Sequence, residues 1–553
     1  MSWKTAKIYF WFTLSLLIAI TYSLLALKEA FSNNYVVQDD ARQHVFWMLQ
    51  FIDASLFPND LIADYFQSVA PAGYSNLYRV ASWLGIHPFV FNKSLPLVLD
   101  LITTSYCFFF CLTLFPVPFA GFLSCLFLNQ YLWLRDDLVS ATPTAFVYPL
   151  LMAFLYYLVK RFPILLWITL ALLGLFYPQG LLVATGVLVL KVIWKKRKVA
   201  KHNGLEIIGL IIAFGVMLLY AWKSSQYDPV ITASQAKTMS EFLPRGTSEF
   251  FVPNFWQFWF NGKRSGMMPQ YASVVIILGI IVAAWFIFKP HWFPLRKAIK
   301  PDARILLQLT AASLGLFFLA HLLLFQLHLP SRYTEHSFRI VSAIAIAFAL
   351  TIILDSLLQW NARHQLRFPH SLSLAATGIV LIAVLVYPAF FEDFPETNYI
   401  TGKSPQLYEF LQQTPKNSLI ASTAEAVNQL PPFAHRSILV GSQGYPVPYH
   451  LGYYQQIKER TQDLIQAQYS PNPEIVQAFI QKYNIDFWLL DKHAFTPDYI
   501  ANYEWLMQYQ PVANHAMQQL QGGKIPFLMQ QKQACGIWEN QYLLLLDASC
   551  LDN

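Results

Sequence analysis

The sequence predicts a polytopic α-helical membrane protein with a soluble α/β domain at its C-terminal end, and three observations carry that prediction. Hydrophobic residues make up 56% of the 553-residue chain and charged residues only 12%, about half the share usual in a soluble globular protein. Long apolar runs alternate with short polar stretches as far as residue 391, after which the composition becomes that of an ordinary soluble domain. Basic residues gather in alternate short loops between the runs, as topology signals do. The chain therefore divides into a transmembrane module, residues 1–391, and a soluble α/β domain, residues 392–553.

The first apolar run covers residues 8–27 and follows Lys4 and Lys7. At about 1.5 Å per residue it spans the roughly 30 Å hydrocarbon core. No small-residue cleavage site follows, so it is an uncleaved first helix. Further runs cover residues 95–115, 118–133, 144–159, 164–176, 181–193, 205–221, 272–288, 305–327, 340–358 and 372–390, for about eleven transmembrane helices. Several are short, which suggests tilted or interior helices.

With the N-terminus inside, the inner loops hold Lys160 and Arg161, the Lys191–Lys201 group, Lys289, Arg296, Lys297, Lys300 and Arg304, and Arg363 and Arg367. Few acids accompany them. The positive-inside bias then places the N-terminus in the cytoplasm, and an odd helix count places the tail outside. The expectation is a multi-pass protein of a plasma (inner) membrane with an extracytoplasmic, periplasmic tail. Its elaborate segments, 28–88, 223–271 and the tail, are all outer ones, so the work belongs to the outer face. The net charge of +7 lies in short inner loops and does not signal nucleic acid.

The tail alternates strand-like pieces at Leu419-Ile420-Ala421, Ser437-Ile438-Leu439-Val440 and Phe487-Trp488-Leu489-Leu490 with helix-like pieces such as 473–482. That pattern predicts a small α/β domain. Cys535 and Cys550 could staple a terminal hairpin in an oxidising compartment. Cys107, Cys111 and Cys125 lie in apolar runs and read as packing residues.

Chemistry concentrates in two acidic pairs. Gln38-Asp39-Asp40-Ala41-Arg42-Gln43-His44 begins about ten residues beyond the first helix, and Val45, Phe46, Met48, Leu49, Phe51, Ile52 and Leu56 follow it at helical spacing. The pattern predicts an amphipathic helix along the outer interface with the pair at its N-terminus. One Asp would serve as an N-cap; two leave a carboxylate free as a base or cation ligand. Arg135-Asp136-Asp137 closes the third run on the same side, and charges so near lipid are costly unless paired or facing a wet cavity. Asp39, Asp40, Asp136 and Asp137 could together hold a divalent metal, Mg or Mn, through oxygen ligands, although the spacing does not require one.

Basic groups on that side are Arg79, Lys93, Arg135, Lys263, Arg264, Arg332 and Arg339, any of which could clamp a phosphate. Interfacial anchoring and snorkelling account equally for Arg332 and Lys93. His44 and His336 are weaker metal-ligand candidates. Asp100 could face the cavity, and Asp355 lies near the inner end of its helix.

The acidic motif in the first outer loop (Asp39-Asp40), the second pair at Asp136-Asp137, the Tyr177-Pro178-Gln179-Gly180 turn and the overall topology resemble the GT-C superfamily of membrane glycosyltransferases. The resemblance implies a polyprenyl-phosphate-linked sugar donor and a glycan, lipid or protein acceptor. It implies an Asp of the first outer loop, Asp40 or Asp39, as catalytic base, Asp136 and Asp137 as a second acidic site, and inversion at the anomeric carbon. Arg332, with Arg79, Lys93, Arg135 and Arg339 as further candidates, would hold the donor phosphate. Two other readings compete. An O-antigen-type polymerase or ligase would carry its large loop between late helices. A lipid-linked-glycan transporter or flippase would carry mid-membrane charges and repeated halves, and the sequence has no internal repeat.

Overall fold

The computed structural model describes residues 3–194, 204–222, 226–269, 293–364 and 370–552. Its membrane module begins with helix α1 (Trp3–Ala30), strand β1 (Val36–Gln38) and the short helices α2 (Asp39–His44), α3 (Leu61–Val69) and α4 (Ala72–Trp83). The apolar helices α5 (Pro88–Leu114), α6 (Pro118–Trp133), α7 (Val147–Lys160), α8 (Pro163–Phe176), α9 (Pro178–Ile193) and α10 (Gly204–Trp222) follow. Then come α11 (Arg304–Leu322), α12 (Glu335–His364) and α13 (His370–Val386). Proline opens α5, α6, α8 and α9, where its fixed φ suits a first helical turn and its missing N–H costs nothing.

Among the described residues, five segments are long and apolar enough to cross a membrane: Thr5–Ala30, Pro88–Leu114, Pro143–Lys160, Pro301–Leu322 and Pro330–Gln359. Shorter apolar helices lie at Pro163–Phe176, Pro178–Ile193, Gly204–Tyr220 and Leu374–Phe390. The predicted run 272–288 lies outside the described residues, and the others fall on helices.

Two boundaries moved for physical reasons. Helix α5 starts ahead of the predicted 95–115 run and passes through Pro96, because Asn92 and Lys93 are buried inside the bundle rather than left in a loop. Helix α11 stops at Leu322, short of the predicted 327. Phe325 and His328 take left-handed φ values of 69° and 60°, and Phe325 instead packs on Phe242 and Phe250 of the second outer segment.

Helix α6 is central, packing on α1, α5 and α12. Asp100 ties this core together and does not face a cavity: it is fully buried and accepts hydrogen bonds from Trp133 Nε1 (2.8 Å), Ser23 Oγ (3.4 Å) and Thr104 Oγ1 (3.4 Å). A buried carboxyl satisfied this way fixes helix register.

In the tail, β2 (Tyr399–Thr401) pairs antiparallel with β1, while β3 (Leu419–Ala421), β4 (Ser437–Ile438), β5 (Phe487–Asp491), β6 (Gly536–Glu539) and β7 (Leu543–Asp547) form a sheet in the order β4-β3-β5-β7-β6. β3 runs parallel to β4 and β5, and β7 antiparallel to β5 and β6. Helices α14 (Leu451–Tyr469) and α15 (Pro473–Tyr483) lie between strands in sequence. Cys535 and Cys550 form a disulfide with Cα atoms 5.5 Å apart, and Cys107, Cys111 and Cys125 are buried and free.

Both long segments between apolar helices, the one after α1 and the one after α10, pack on the tail. β1 adds to β2 through Val36, Val37 and Gln38. In the second segment, Leu451 N–H donates to the Pro229 carbonyl (3.0 Å), and Tyr454 Oη donates to Glu241. The segment after the first acidic pair is not an interfacial amphipathic helix. It breaks into α2 and a tight helical turn at Phe46–Phe51, and Phe46, Trp47, Met48 and Leu49 are at most 2% exposed. Tail residues such as Tyr445 cover Phe46, so all sides of the segment, rather than one face, are buried.

Candidate active site

The first acidic pair opens α2, but neither Asp caps it. Gln38 is the N-cap, its side-chain oxygen accepting from Ala41 N–H at 3.1 Å. Asp39 Oδ1 accepts from Arg42 Nη2 at 2.6 Å, and the Arg42 side chain is 0% exposed. The same nitrogen reaches Gln443 Oε1 at 3.4 Å, and the guanidinium stands 6.0 Å over the Tyr445 ring. Asp39 is therefore committed to a buried cation.

Asp40 is exposed and, among the described residues, has no hydrogen-bond or ion-pair partner. Protein nonetheless crowds it closely. Burial, then the charges of Asp136, Asp39 and Asp137, push its carboxyl up to about 7, against the opposing pull of Arg332. Solvent reaches this carboxyl although protein lies close around it, and water there tempers the shift.

The second pair divides in the same way. Asp137 accepts from Arg339 Nη1, and Arg339 is 1% exposed. Burial raises the Asp137 carboxyl, but Arg339, His336 and Arg332 outweigh it and hold the group far below the carboxylate range. Asp136 accepts from Asn398 Nδ2 at 2.8 Å.

Glu335 anchors the basic side of the cluster. It receives Arg339 Nη2 at 2.6 Å and Arg332 Nη1 at 3.3 Å, with Arg135 Nη2 at 3.9 Å. Tyr148 Oη accepts from Arg339 Nη1 at 2.6 Å and contacts His336 Nδ1 at 2.9 Å, while His336 Nε2 lies 3.3 Å from Tyr177 Oη. His336 thus has both ring nitrogens in hydrogen bonds and is no metal ligand here. Arg332, in the helical turn Pro330–Tyr333 just before α12, is 27% exposed and close enough to act on Asp40. The structure therefore brings Asp39, Asp40, Asp136, Asp137, Arg135, Arg332 and Arg339 into one constellation.

Other candidates stand apart. Arg79 is exposed and lies 5.0 Å over Phe51, and Lys93 lies 5.1 Å over Phe31. Arg264 donates to the carbonyls of Thr247 (3.2 Å) and Glu249 (3.5 Å), and the Lys263 carbonyl accepts from Ser331. Asp355 accepts from Gln359, one turn along its helix. Burial pushes His44 down to about 4, where its ring packs edge-on to Phe66.

Of the four carboxylates that could hold a metal, Asp39 and Asp137 each pair with an arginine, and among the described residues no three of His, Cys, Asp and Glu gather as a metal-binding group. Sequence reading passed over Arg42, Tyr148, Glu335, Asn398 and Gln443. Glu335 had a legible signal, since it lies three residues after Arg332 and four before Arg339. Asn398 and Gln443 reach the site only through the fold.

No family model and no curated protein matches the chain. Solved structures do, among them structures of the oligosaccharyltransferase of Archaeoglobus fulgidus. The apo form matches with a TM-score of 0.54 at 13% identity, over 92% of this chain and 72% of that one. The form tethered to an acceptor peptide containing the NVT sequon matches with a TM-score of 0.52 at 13% identity, over 91% and 72%. The complex with an inhibitory peptide and a dolichol-phosphate matches with a TM-score of 0.52 at 13% identity, over 93% and 72%. At this identity the likeness is one of fold, and it extends over more than nine-tenths of this chain.

Proposed function

We propose that the chain is an integral membrane glycosyltransferase that moves a sugar from a polyprenyl-phosphate donor to an acceptor hydroxyl at the outer face of the membrane. The observation that carries the reading is Asp40, an accessible carboxylate without a partner among the described residues, raised to about 7 and facing Arg332. A general base works best when its pKa lies near the working pH. The fold shared with an oligosaccharyltransferase, one structure of which holds a dolichol-phosphate, supports the donor class.

Arg332 takes the donor phosphate and stabilises the charge that develops as it leaves. The acceptor oxygen attacks the anomeric carbon from the face opposite the phosphate. As the new C–O bond forms, the bond to the phosphate oxygen breaks and its electron pair leaves with the phosphate. Asp40 takes the hydroxyl proton, and the anomeric centre inverts. Asp39 acts through Arg42, and Asp137 through Arg339, as positioning groups. The gathering of basic residues in alternate loops supports a cytoplasmic N-terminus and a tail outside.

A second acceptor class, a peptide, is favoured by the neighbour solved with a tethered acceptor peptide. The test is sugar transfer by membranes holding wild type, Asp39→Asn or Asp40→Asn, with a panel of polyprenyl-phosphate sugars and with glycan, lipid and sequon-peptide acceptors. Transfer lost in Asp40→Asn alone, with folding and donor binding kept, supports the reading. Equal transfer by all three removes Asp40 from the chemistry. The acceptor that is labelled decides between hydroxyl and peptide.

A further inference from the structure

Asn398 lies at the junction between membrane module and tail and touches both acidic pairs. Its backbone carbonyl accepts from Asp39 N–H at 3.1 Å, and its side-chain Nδ2 donates to Asp136 Oδ2 at 2.8 Å. An ionised carboxylate only accepts, so the amide must present its nitrogen there. Asn398 adopts a left-handed φ of 50°, which Asn, Asp and Gly reach most readily. The next residue opens β2, where Gln38 pairs with Tyr399. The residue therefore sits at the edge of a strand pair that joins the first segment to the tail.

The tail holds the other flank of α2 as well. The Gln443 carbonyl accepts from Gln43 Nε2 at 3.2 Å, and Gln443 Nε2 donates to Glu425 Oε1 at 2.9 Å. At Gly444 the φ of 75° favours glycine, and a Cβ there would fall 2.1 Å from Gln43 Nε2 and displace that side chain.

We propose that Asn398 is a positioning residue that couples the two acidic pairs, so that the tail fixes where Asp136 stands relative to Asp40. This rests on the transferase reading only for its catalytic consequence. The charged and titratable groups facing Asp40 are Asp136, Asp39, Asp137 and Arg332, with Tyr74 across from it on α4. Asp136 exerts the largest charge effect among them, and Asn398 is the residue that orients it.

Two variants keep the left-handed backbone. Asn398→Gly deletes the amide donor but keeps the carbonyl that holds Asp39. Asn398→Asp keeps the shape and turns the donor into a second carboxylate facing Asp136. In the full chain in detergent, carbodiimide labelling of protonated carboxyls, read at Asp40 by mass spectrometry against pH, reports its protonation without any turnover; Asp40→Asn identifies the signal. Asn398→Asp is expected to move the Asp40 midpoint up by about one unit. Asn398→Gly is expected to lower kcat roughly tenfold or more, with donor KM within about twofold and melting temperature within about 2 °C of wild type.

The coupling is overturned by an unmoved Asp40 midpoint in Asn398→Asp. It is equally overturned by wild-type kcat in Asn398→Gly, or by kcat, KM and melting temperature falling together, the pattern of a purely structural residue. If the midpoint moves while wild type transfers no sugar from any donor, the coupling stands and the transferase reading falls.

Discussion

The two acidic pairs solve the same electrostatic problem by different means. In each, one carboxylate neutralises a buried arginine: Asp39 with Arg42, Asp137 with Arg339. In each, the second carboxylate pairs with no cation among the described residues. The first pair finds its arginine three residues along the same short helix, whereas the second finds it across the bundle, on α12. The remaining carboxylates differ too, since Asn398 holds Asp136 and nothing among the described residues holds Asp40. The local pair can be read from spacing alone. The distant pair, made inside a membrane bundle, cannot, and it carries more of the structure because its arginine is also bound to Glu335 and Tyr148.

This contrast can be broken at several points. Asp40→Asn should have the largest effect, a roughly 10²- to 10⁴-fold loss of transfer with unchanged folding, while Asp136→Asn should lose less. Arg339→Ala should cost about 3–5 kcal/mol, because Asp137 and Glu335 are left without their buried partner; thermal unfolding in detergent measures it. Asp39→Asn leaves Arg42 without its carboxylate and should cost about 1–3 kcal/mol, with a smaller loss of transfer than Asp40→Asn.

The pH dependence sharpens the contrast. The Asp40 carboxyl is raised from its ordinary 3.8 to about 7, chiefly by burial and then by Asp136. Between those values the folded state holds a proton that the unfolded chain has released. Wild type therefore loses stability as pH rises through that window. Asp40→Asn should melt at the same temperature as wild type below pH about 4 and higher above pH about 7. Transfer by wild type should rise with pH through about 7 as the base form fills. Smallest of all, Arg79→Ala should lose under about 1 kcal/mol through its contact with Phe51 and leave donor binding unchanged, which would separate Arg79 from Arg332 among the sequence-named phosphate ligands.

What the sequence alone determined is what short-range physics controls. Apolar length marked the helices, because a bilayer leaves a spanning segment little choice but to satisfy its backbone within a helix. Alternating short apolar pieces located the tail strands at Leu419, Ser437 and Phe487, where the structure has them. Adjacency made the two acidic pairs visible.

The tertiary structure decided which member of each pair is free. That depends on Arg42 being sealed under Tyr445, and on Arg339 reaching Asp137 from a helix some two hundred residues away in sequence. It turned an expected interfacial helix into a buried segment, because the tail closes over Phe46. It also moved Asp100 from candidate cavity residue to helix clamp, because Trp133, Ser23 and Thr104 converge on it. Charges and amides act over a few ångströms in space whatever their separation along the chain, so their partners become known only once the chain is folded.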